Sequence, residues 1–487
     1  MVVKETYSFY SDDIPIIVNI ESKNDEFVLV YNVAVSTISQ NTEVILDKVR
    51  DELVTKIKLS LGEITDEKKA ELVRTKFQDS VIYLLNKYLP DLKDNVKKFL
   101  VTYLMHKSLG LGKIELLLDD KNLEEVVINN ASEPVWVYHH KHGWLKTNIY
   151  LDSEEQIKHY ATIIGRRVGR SISLLTPLLD AHLETGDRVN ATLNPISTKG
   201  NTITLRKFAY KPITITNFIE NKSISVSAAS LIWGAIEFEL STLVTGGTAT
   251  GKTSFLGAMC GFFPPNQRII SVEDTREIQM PKYLHWMPML TREKNVEGKG
   301  EITMLDLILN SLRMRPDRIV VGEIRKQSEA ETLFEAMHTG HSVYATLHAN
   351  DTQETINRLA NPPLNVPKTL LPAISAILVM YRNRRTGIRR IFQISEILNT
   401  TEAKFNVLLQ FDIKQDKLLT ANKSQRLIPE LELQTGLSEQ EINENLREKS
   451  LILSWLVKNK IDGVNEIGKV VATYYTDKEN LMRFIKK

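Results

Sequence analysis

The sequence predicts an α/β protein whose largest part is a parallel sheet with crossover helices. Short apolar runs, STLVT, RIISVED, DRIVVGE and SVYATLH, recur within the core domain, residues 228–397, and helix-length segments separate them. The chain has 487 residues, which is enough for about three domains. Its 42% hydrophobic and 25% charged residues are typical of a globular protein and exclude a collagen, a coiled-coil rod or wholesale disorder.

The residues before this core predict two further domains and a linker. A stripe of apolar residues at helical spacing follows Pro90 and predicts that the N-terminal domain, residues 1–107, ends in helices. The stripe consists of Val96, Phe99, Leu100, Tyr103 and Leu104. The β-branched and aromatic runs VVIN and PVWVYHH then predict a mixed α+β domain over 108–208. Residues 209–227 include Pro212 and carry no sustained helical period, which is typical of a linker.

Capping signals mark two helices in the second half of the chain. Thr303 and Asp306 have the spacing of a capping box, followed by an apolar helical stripe. Ser438 and Glu441 repeat this signal near the C-terminus. The sequence therefore predicts a crossover helix in the core and a C-terminal helical appendage over 398–487.

Charge, cysteine content and hydropathy limit the function classes. Lys plus Arg is 62 and Asp plus Glu is 60, so a net charge of +2 supplies no chain-wide field for nucleic acid or an anionic membrane. The single cysteine, Cys260, cannot form an internal disulfide or a multi-cysteine zinc site, which indicates a reducing compartment. The start MVVKETYSFYSDD has no signal-peptide pattern, and the longest apolar stretch, 370–381, is shorter than the roughly 18 to 20 residues that span a bilayer. We expect a cytoplasmic protein with at most peripheral membrane contact.

The octapeptide GGTATGKT matches the phosphate-loop pattern G-x-x-x-x-G-K-[ST], after a β-rich run and before a helix-like run. We assign nucleotide binding to Gly246, Gly247, Thr248, Ala249, Thr250, Gly251, Lys252, Thr253 and Ser254. Glycines let backbone N–H groups and the helix N-terminus approach a polyphosphate. Lys252 supplies positive charge at the β and γ phosphates, and the Thr253 hydroxyl is placed to bind Mg²⁺. A nucleoside triphosphate is the expected ligand; the alternative is an ordinary glycine-rich turn.

Acidic residues at two predicted strand ends are the candidates for the catalytic chemistry. Glu323 ends the run IVVGE, but Gly322 occupies the position where many phosphate-loop enzymes have an Asp that binds Mg²⁺. The metal acid must then come from elsewhere, and an obvious source is the preceding strand, whose end carries three acids. These are Glu273, Asp274 and Glu277. We assign Glu273 to the metal or its waters and Glu323 to orienting or deprotonating the attacking water. The alternatives are an ion pair of Glu323 with Arg325 and a solvated acidic loop.

Two histidines flank the predicted strand 342–347. His341 and His348 lack metal-ligand spacing with cysteine, and each alone is most simply a histidine satisfied within the core. Beside a phosphate loop and strand-end acids, a sensor of the γ-phosphate is the favoured interpretation. We place His348 in the catalytic set with Lys252, Glu273 and Glu323.

The segments GGTATGKTS, SVEDTREI, LRMRPDRIVVGEIR and TGHSVYATLHAND, in this order, resemble the Walker A, Asp, Walker B and His boxes of the type II/type IV secretion ATPase superfamily. The similarity extends upstream through VWVYHHKHGWL, PLLDAHLETGDRVNATL and TLRKF. The chain lacks the four-cysteine zinc module of bacterial type II secretion members. It is most similar to archaeal pilus and archaellum assembly ATPases.

The resemblance implies a RecA-like motor that binds ATP and Mg²⁺ in a cleft shared with the preceding domain, in a ring of six copies. Arg188 and Arg206 match arginines that contact the phosphates; solvated charges are the alternative. The resemblance also implies an ATPase at the inner face of the cell membrane, which works on a polytopic membrane platform protein in filament assembly or secretion. A DNA-translocating or conjugative-transfer ATPase is the alternative, and the near-neutral charge makes a nucleic acid partner the second choice.

Two groups of arginines remain open at the level of sequence. Arg315 and Arg325 flank the Walker B strand and fit either structural pairs or contacts with a neighbouring subunit. A basic cluster surrounds a Thr-Gly turn and consists of Arg382, Arg384, Arg385, Arg389 and Arg390. It suits nucleic acid, anionic lipid or an acidic partner loop, and equally a solvated hairpin.

Overall fold

The computed structural model describes residues 2–12, 14–35, 44–46, 48–49, 52–53, 67–183, 185–208, 212–294 and 298–486. Two compact units are present, Met1–Tyr210 and Lys211–Lys487. None of the helices in the described ranges combines the length and the apolar character that crossing a bilayer requires.

The first unit is built on a nine-stranded sheet. Its strands are β1 (Val2–Ser11), β2 (Ile14–Ser22), β3 (Val30–Val35), β4 (Leu123–Ile128), β5 (Trp136–His139), β6 (Gly143–Thr147), β7 (Leu178–His182), β8 (Arg188–Thr192) and β9 (Thr202–Arg206). Its described helices include α1 (Glu67–Tyr88), α2 (Asp94–Leu109), α3 (Lys113–Leu118) and α4 (Glu154–Arg167). The strand order is β1-β2-β3-β6-β5-β4-β9-β8-β7, and the β3–β6 pair is parallel while the others are antiparallel.

The predicted boundary between 1–107 and 108–208 does not separate two units. Strands β1 to β3 join the sheet of the mixed domain through β3 and β6. The hydroxyl groups of Tyr7 and Tyr31 donate hydrogen bonds of 2.5 and 2.6 Å to the buried Asp120 carboxylate. Alternating residues of β2 pack into the same core as the strands that follow residue 120. The Tyr7 and Tyr31 bonds join positions 113 and 89 residues apart, so local sequence patterns did not reveal them.

The second unit is built on a nine-stranded mixed sheet. Its strands are β10 (Thr242–Gly246), β11 (Arg268–Glu273), β12 (His285–Leu290), β13 (Arg318–Val321), β14 (Ser342–Leu347), β15 (Ala376–Arg382), β16 (Arg389–Ile397), β17 (Phe405–Asp412) and β18 (Lys417–Thr420). Its described helices include α5 (Ile215–Glu220), α6 (Val226–Glu237), α7 (Lys252–Cys260), α8 (Met304–Leu312), α9 (Gln327–His338), α10 (Thr352–Ala360), α11 (Leu427–Thr435), α12 (Glu439–Lys458), α13 (Val464–Thr476) and α14 (Lys478–Ile485), with a 3₁₀ helix at Lys368–Ala373.

The sheet order β12-β11-β13-β14-β10-β15-β16-β17-β18 places β10 between β14 and β15. Strands from β12 to β15 in this order run parallel, and β16 to β18 continue the sheet in antiparallel fashion. The parallel strands β10, β13 and β14 are buried along their whole length because apolar clusters cover both faces. This architecture confirms the predicted α/β class with a RecA-like core.

Local capping signals were reliable. Thr303 and Asp306 form the predicted capping box at the start of α8, and Ser438 and Glu441 form the one at the start of α12. The predicted stripe after Pro90 corresponds to α2.

Two predicted boundaries differ from the structure. Within the predicted linker 209–227, residues 209–211 lie outside the described residues, and the rest contains α5 and the start of α6. The Ile391 amide donates to the Ser223 carbonyl at 2.8 Å, which ties this segment to β16. The predicted helical appendage 398–487 begins with β17 and β18, because their backbone groups extend the sheet from β16, and only then becomes helical.

Candidate nucleotide-binding site

The phosphate loop lies at the carboxyl end of the central strand β10 and leads directly into α7. Gly246 and Gly251 have φ values of 152° and 92°, and Ala249 has a φ of 58°. A side chain at position 246 would place its Cβ 2.6 Å from the Met380 carbonyl oxygen, so glycine is required there for steric reasons. The predicted strand, loop and helix are therefore all present.

Lys252 is buried at the first position of α7 and its ammonium group turns back over the loop. Its Nζ donates a hydrogen bond of 3.0 Å to the Gly247 carbonyl, which also accepts one of 2.9 Å from the Thr250 hydroxyl. Burial lowers the pKa of Lys252, while the carboxylates of Glu323 and Glu277 act in the opposite direction. The Lys252 ammonium group is thus held inside the loop, where the carboxylates of Glu323 and Glu277 interact with it electrostatically.

The remaining loop residues differ in their availability to a ligand. Thr248, Ala249 and Ser254 are exposed to solvent, and Thr253 is half-buried in the first turn of α7. The Thr253 hydroxyl makes no hydrogen bond to another described residue, so it is available to a cation.

Glu323 follows β13 at the same sheet edge and contacts two basic side chains. Arg325 donates to Glu323 Oε2 at 2.8 Å from Nε and lies 2.6 Å from it through Nη2. The Nη1 group of the same arginine donates to Asp274 at 2.6 Å. The ion pair that was the alternative interpretation of Glu323 is therefore present, and it also links β13 to the acidic loop after β11.

His348 lies between the phosphate loop and Glu323. Its Nε2 is 3.5 Å from Lys252 Nζ and 3.6 Å from Glu323 Oε1. Burial lowers the pKa of His348, the Lys252 charge acts in the same direction, and Glu323 opposes both. The imidazole is therefore biased toward its neutral form, which can both donate and accept a hydrogen bond.

His341 does not belong to this site. It precedes β14 whereas His348 follows it, so the two histidines lie at opposite ends of a buried strand. The His341 Nδ1 is 3.2 Å from the Ala336 carbonyl, near the end of α9. Strand β10 runs parallel to β14, so the carboxyl end of β10, which leads into the phosphate loop, lies beside the carboxyl end of β14. His341 precedes the amino end of β14. The interpretation of His341 as a phosphate sensor is therefore wrong.

Glu273 is buried at the end of β11, and its carboxylate faces the backbone of the acidic loop. Its Oε1 accepts hydrogen bonds from the amides of Glu277 and Ile278 at 3.0 and 3.1 Å. Its Oε2 is buried and has no hydrogen-bond partner among the described residues. Burial raises the pKa of Glu273 to about 7 despite the two amides. One oxygen is thus left for a cation or its waters, and a neighbouring cation would favour the ionised form.

The residues fit a nucleotide-bound Mg²⁺ better than a cation held by protein alone. Among the described residues, no group of three or more His, Cys, Asp or Glu side chains could hold a metal ion. Mg²⁺ in phosphoryl-transfer sites takes one or two protein ligands and completes its shell with phosphates and water. A free Thr253 hydroxyl and the unpaired Oε2 of Glu273 match this requirement.

Arg188 and Arg206 lie in the first unit. They are register partners on β8 and β9, and both side chains are exposed. Arg188 donates two hydrogen bonds to Asp180, of 3.0 and 2.6 Å, and this hydrogen bonding lowers the pKa of Asp180. Their expected contact with nucleotide stays a prediction.

Three residues near the loop escaped the sequence interpretation or received no role in it. The charge of Arg358 on α10 acts on both Lys252 and His348. A Cβ at position 247 would lie 3.0 Å from the Asn350 amide oxygen. Arg389, from the basic cluster, donates to the Ala249 carbonyl at 3.1 Å. Asn350 lies at the end of the His box and Arg358 follows it, so the Asp351 N-cap of α10 was the signal that a helix begins at this sheet edge.

The other arginines of the open groups have separate surroundings. Arg390 is buried and pairs with Asp416 at 2.8 and 2.9 Å, which is a structural role. Arg384 and Arg385 are exposed in the hairpin, as is Arg315 before β13. The cluster is therefore not one continuous solvated patch.

A central parallel strand that ends in a glycine loop, with its lysine, a glutamate and a histidine at one sheet edge, defines a phosphate-loop nucleotide-binding protein with a RecA-like core. The family described as Type II/IV secretion system protein matches residues 108–385, more than half of the chain. The chain therefore belongs to the Type II/IV secretion system protein family.

Relatives in archaea and bacteria have similar sequences. An uncharacterized protein of Methanocaldococcus jannaschii is 36% identical over 315 residues, which cover 64% of this chain and 56% of that protein. A putative conjugal transfer protein of Mycobacterium tuberculosis is 32% identical over 309 residues, 61% of this chain and 86% of that one. The crystal structure of the pilus retraction motor PilT with bound ADP aligns with 76% of this chain and 98% of its own, at 17% identity and a TM-score of 0.42. The chain thus spans little more than half the length of the archaeal relative.

Proposed function

We propose that this chain is an ATP-hydrolysing motor that works at the cytoplasmic face of a membrane. The convergence of Lys252, His348 and Glu323 on the phosphate loop carries this proposal. Hydrolysis of a phosphoanhydride requires a positive group for the phosphates and a carboxylate that handles the attacking water. Lys252 and Glu323 are these groups, and the neutral imidazole of His348 lies within a few ångströms of both. Membership of a family of ATPases supports the same activity.

Each side chain has a defined task in this proposal. Lys252 and the loop amides bind the β and γ phosphates of ATP. Mg²⁺, when bound with the nucleotide, neutralises charge that develops on the phosphate oxygens. Thr253 would hold this ion, and Glu273 Oε2 would hold it or one of its waters. Glu323 orients the attacking water and accepts its proton, while His348 hydrogen-bonds the γ-phosphate and reports its presence to β14.

The motor is proposed to act as a ring of six copies in which Arg188 and Arg206 help to neutralise the triphosphate. Its partner would be a polytopic membrane platform protein, and its output would be assembly of a pilus or archaellum-like filament or type II-like secretion. The identity shared with the archaeal relative is compatible with a role in an archaeal system but does not choose among these outputs.

A second candidate function is DNA translocation or conjugative transfer by the same core. One observation favours it: a relative of 32% identity carries the name of a putative conjugal transfer protein. The net charge of +2 argues against a strong sequence-independent attraction to DNA.

Phosphate release from Mg-ATP by the purified chain tests the proposal, with Lys252→Ala as the key variant. We expect Lys252→Ala to abolish turnover because the γ-phosphate loses its cation, while Lys414→Ala, at an exposed lysine of the same unit, keeps it. Full activity of Lys252→Ala would remove the assignment of the phosphate loop. Adding single-stranded or duplex DNA separates the two functions, since a DNA motor is stimulated by DNA and a filament motor is not.

A further inference from the structure

Helix α13 contacts the segment that follows the acidic loop. The side-chain oxygen of Asn465, near the start of α13, accepts a hydrogen bond of 3.0 Å from the backbone amide of Lys282. Ile467 and Val471 of the same helix lie in one apolar cluster with Ile278 and Met280. The C-terminal region therefore touches the chain that continues from Glu273 and Glu277.

Gly468 makes this contact unusually close. A Cβ at position 468 would lie 2.5 Å from Cγ of Pro281 and 2.6 Å from Oη of Tyr283. The tyrosine hydroxyl is the end of a flexible side chain, but the proline ring is fixed to the backbone. Any side chain at position 468 therefore has to displace the backbone around residue 281 or move the helix itself.

The other end of α13 reaches the helix that carries Lys252. The Tyr475 hydroxyl donates a hydrogen bond of 3.0 Å to the carbonyl of Phe262, just beyond the end of α7. The same hydroxyl accepts one of 2.9 Å from Trp233 Nε1 on α6. One helix thus contacts both the segment after the acidic loop and the segment after the phosphate-loop helix.

A buried ion pair anchors the C-terminal region against α6. Lys449 of α12 is completely buried and lies 2.6 Å from a carboxylate oxygen of Glu237. Its Nζ also donates to the Tyr474 hydroxyl on α13 at 3.2 Å. Breaking such a buried pair is costly, so α12 is held against α6, and the hydrogen bond to Tyr474 links α13 to this anchor.

The conformation of the acidic loop, which carries Glu273, Asp274 and Glu277, depends on hydrogen bonds within the loop and on packing against α13. Glu273 Oε1 holds the amides of Glu277 and Ile278, and Ile278 is buried in the cluster that contains Ile467 and Val471. A displacement at Pro281 is only a few residues from these bonds. Strain at Gly468 should therefore reach the Glu273 carboxylate through its hydrogen bonds to the loop amides.

We propose that α13 is a brace that sets the position of the acidic loop relative to the phosphate-loop helix, with Asn465, Gly468 and Tyr475 as positioning residues. None of the three touches the proposed reacting atoms. Asn465 and Gly468 act through the segment that follows the acidic loop, and Tyr475 acts through the segment that follows α7. This inference rests on the proposed ATPase function for its effect on turnover. It assigns the C-terminal helices a role in catalysis, not only in stability.

Gly468→Ala is the decisive variant, and its first measurement is independent of turnover. We expect hydrogen exchange of the amides in residues 274–284 to accelerate about tenfold, because the added methyl group displaces Pro281. We expect kcat to fall about tenfold while the Kd for a non-hydrolysable ATP analogue stays within about twofold. Lys469→Ala, at an exposed position of the same helix, should change neither.

A general loss of stability must be separated from a specific displacement. Ile442→Ala removes a buried side chain of α12 from a different apolar cluster, so it destabilises the C-terminal region without touching 281–283. It should lower the thermal midpoint and leave both the exchange of 274–284 and kcat unchanged. Equal effects of Ile442→Ala and Gly468→Ala on kcat would overturn the brace.

Further outcomes separate this inference from the proposed function. Unaltered exchange of 274–284 in folded Gly468→Ala refutes the brace, whether or not the parent hydrolyses ATP. An inactive parent with accelerated exchange in the variant refutes the ATPase proposal and keeps the structural coupling. If Gly468→Ala does not fold, Asn465→Ala removes the hydrogen bond to Lys282, and Tyr475→Phe removes the two hydrogen bonds of its hydroxyl. Loss of protection in 274–284 with either variant supports the brace, and its absence in both refutes it.

Discussion

The change Glu323→Gln distinguishes a catalytic carboxylate from a structural one. It keeps the size of the side chain and removes its charge, so Arg325 loses an ionic partner and the water loses a proton acceptor. Both tasks are plausible from the position of Glu323 beside Arg325 and His348. Their energetic consequences differ enough for one experiment to decide between them.

The structure sets the magnitude for each alternative. The Arg325 side chain is 60% exposed, so its ion pair with Glu323 is screened and contributes at most about 1 kcal/mol, or roughly fivefold in any rate that depends on it. A general base contributes about 10² to 10⁴ in rate, which is about 3 to 5 kcal/mol of barrier. We therefore expect kcat of Glu323→Gln to fall at least about 100-fold, with nucleotide affinity changed less than about threefold.

Single-turnover phosphate release, together with a binding titration of a fluorescent ATP analogue, measures both quantities. Arg325→Ala is the matched control, because it leaves the carboxylate in place while it removes the same ion pair together with the exposed pair to Asp274. We expect it to reduce kcat only about fivefold. A Glu323→Gln enzyme as fast as Arg325→Ala would refute the reasoning and show that another group handles the water.

The remaining predictions concern stability and the first unit. Glu396 is fully buried and accepts hydrogen bonds from Asn406, Ser424 and the amides of residues 425–427, so Glu396→Gln should cost about 3 kcal/mol in urea unfolding at neutral pH. Burial alone acts to raise the pKa of Glu396, but these hydrogen bonds outweigh burial and hold the pKa below its ordinary value. The ionised carboxylate therefore stabilises the fold above about pH 4.3, the ordinary pKa of glutamate. This stabilisation is lost as pH falls through the folded-state pKa. The difference between parent and variant should therefore shrink in acid, and a difference that grows there would contradict this account. For Arg188→Ala, we expect turnover to fall about tenfold with a stability change below about 1 kcal/mol, because its exposed pair with Asp180 adds little to folding; unchanged steady-state kinetics would return Arg188 to a solvated charge.

The sequence predicted those parts of the site that local chemistry determines. The phosphate loop needs glycines, a lysine and a hydroxyl within eight residues, and all of them occupy the predicted strand, loop and helix. The strands that carry Glu273, Glu323 and His348 are continuous apolar runs, as strands buried on both faces must be. Because their carboxyl ends meet at one sheet edge, strand order alone places Glu323 and His348 near Lys252.

The parts that were missed depend on side-chain direction or on pairing between distant segments. Nothing local indicates that Glu273 turns toward the amides of its own loop. The contact of Arg389 with Ala249 joins positions separated by 140 residues, and it requires β16 to follow β15 at the edge of the core. The sequence did not show which of His341 and His348 lies near the phosphate loop, because this depends on β14 running parallel to β10.

These long-range contacts converge on Glu323 and on the loop that carries Glu273 and Asp274. Arg325 ties Asp274 to Glu323 across two neighbouring strands, and α13 supports the same loop from its other end through Pro281. A carboxylate on a loop without such contacts would occupy many positions. The rate of a reaction that needs it as a proton acceptor falls steeply when the carboxylate is misplaced by about 1 Å. The Arg325 ion pairs and the packing of α13 are two independent contacts that restrict the position of this loop. Neither requires much free energy, because the Arg325 pairs are exposed and Gly468 allows close packing only by lacking a side chain. The C-terminal helices can therefore affect turnover without any residue in contact with nucleotide.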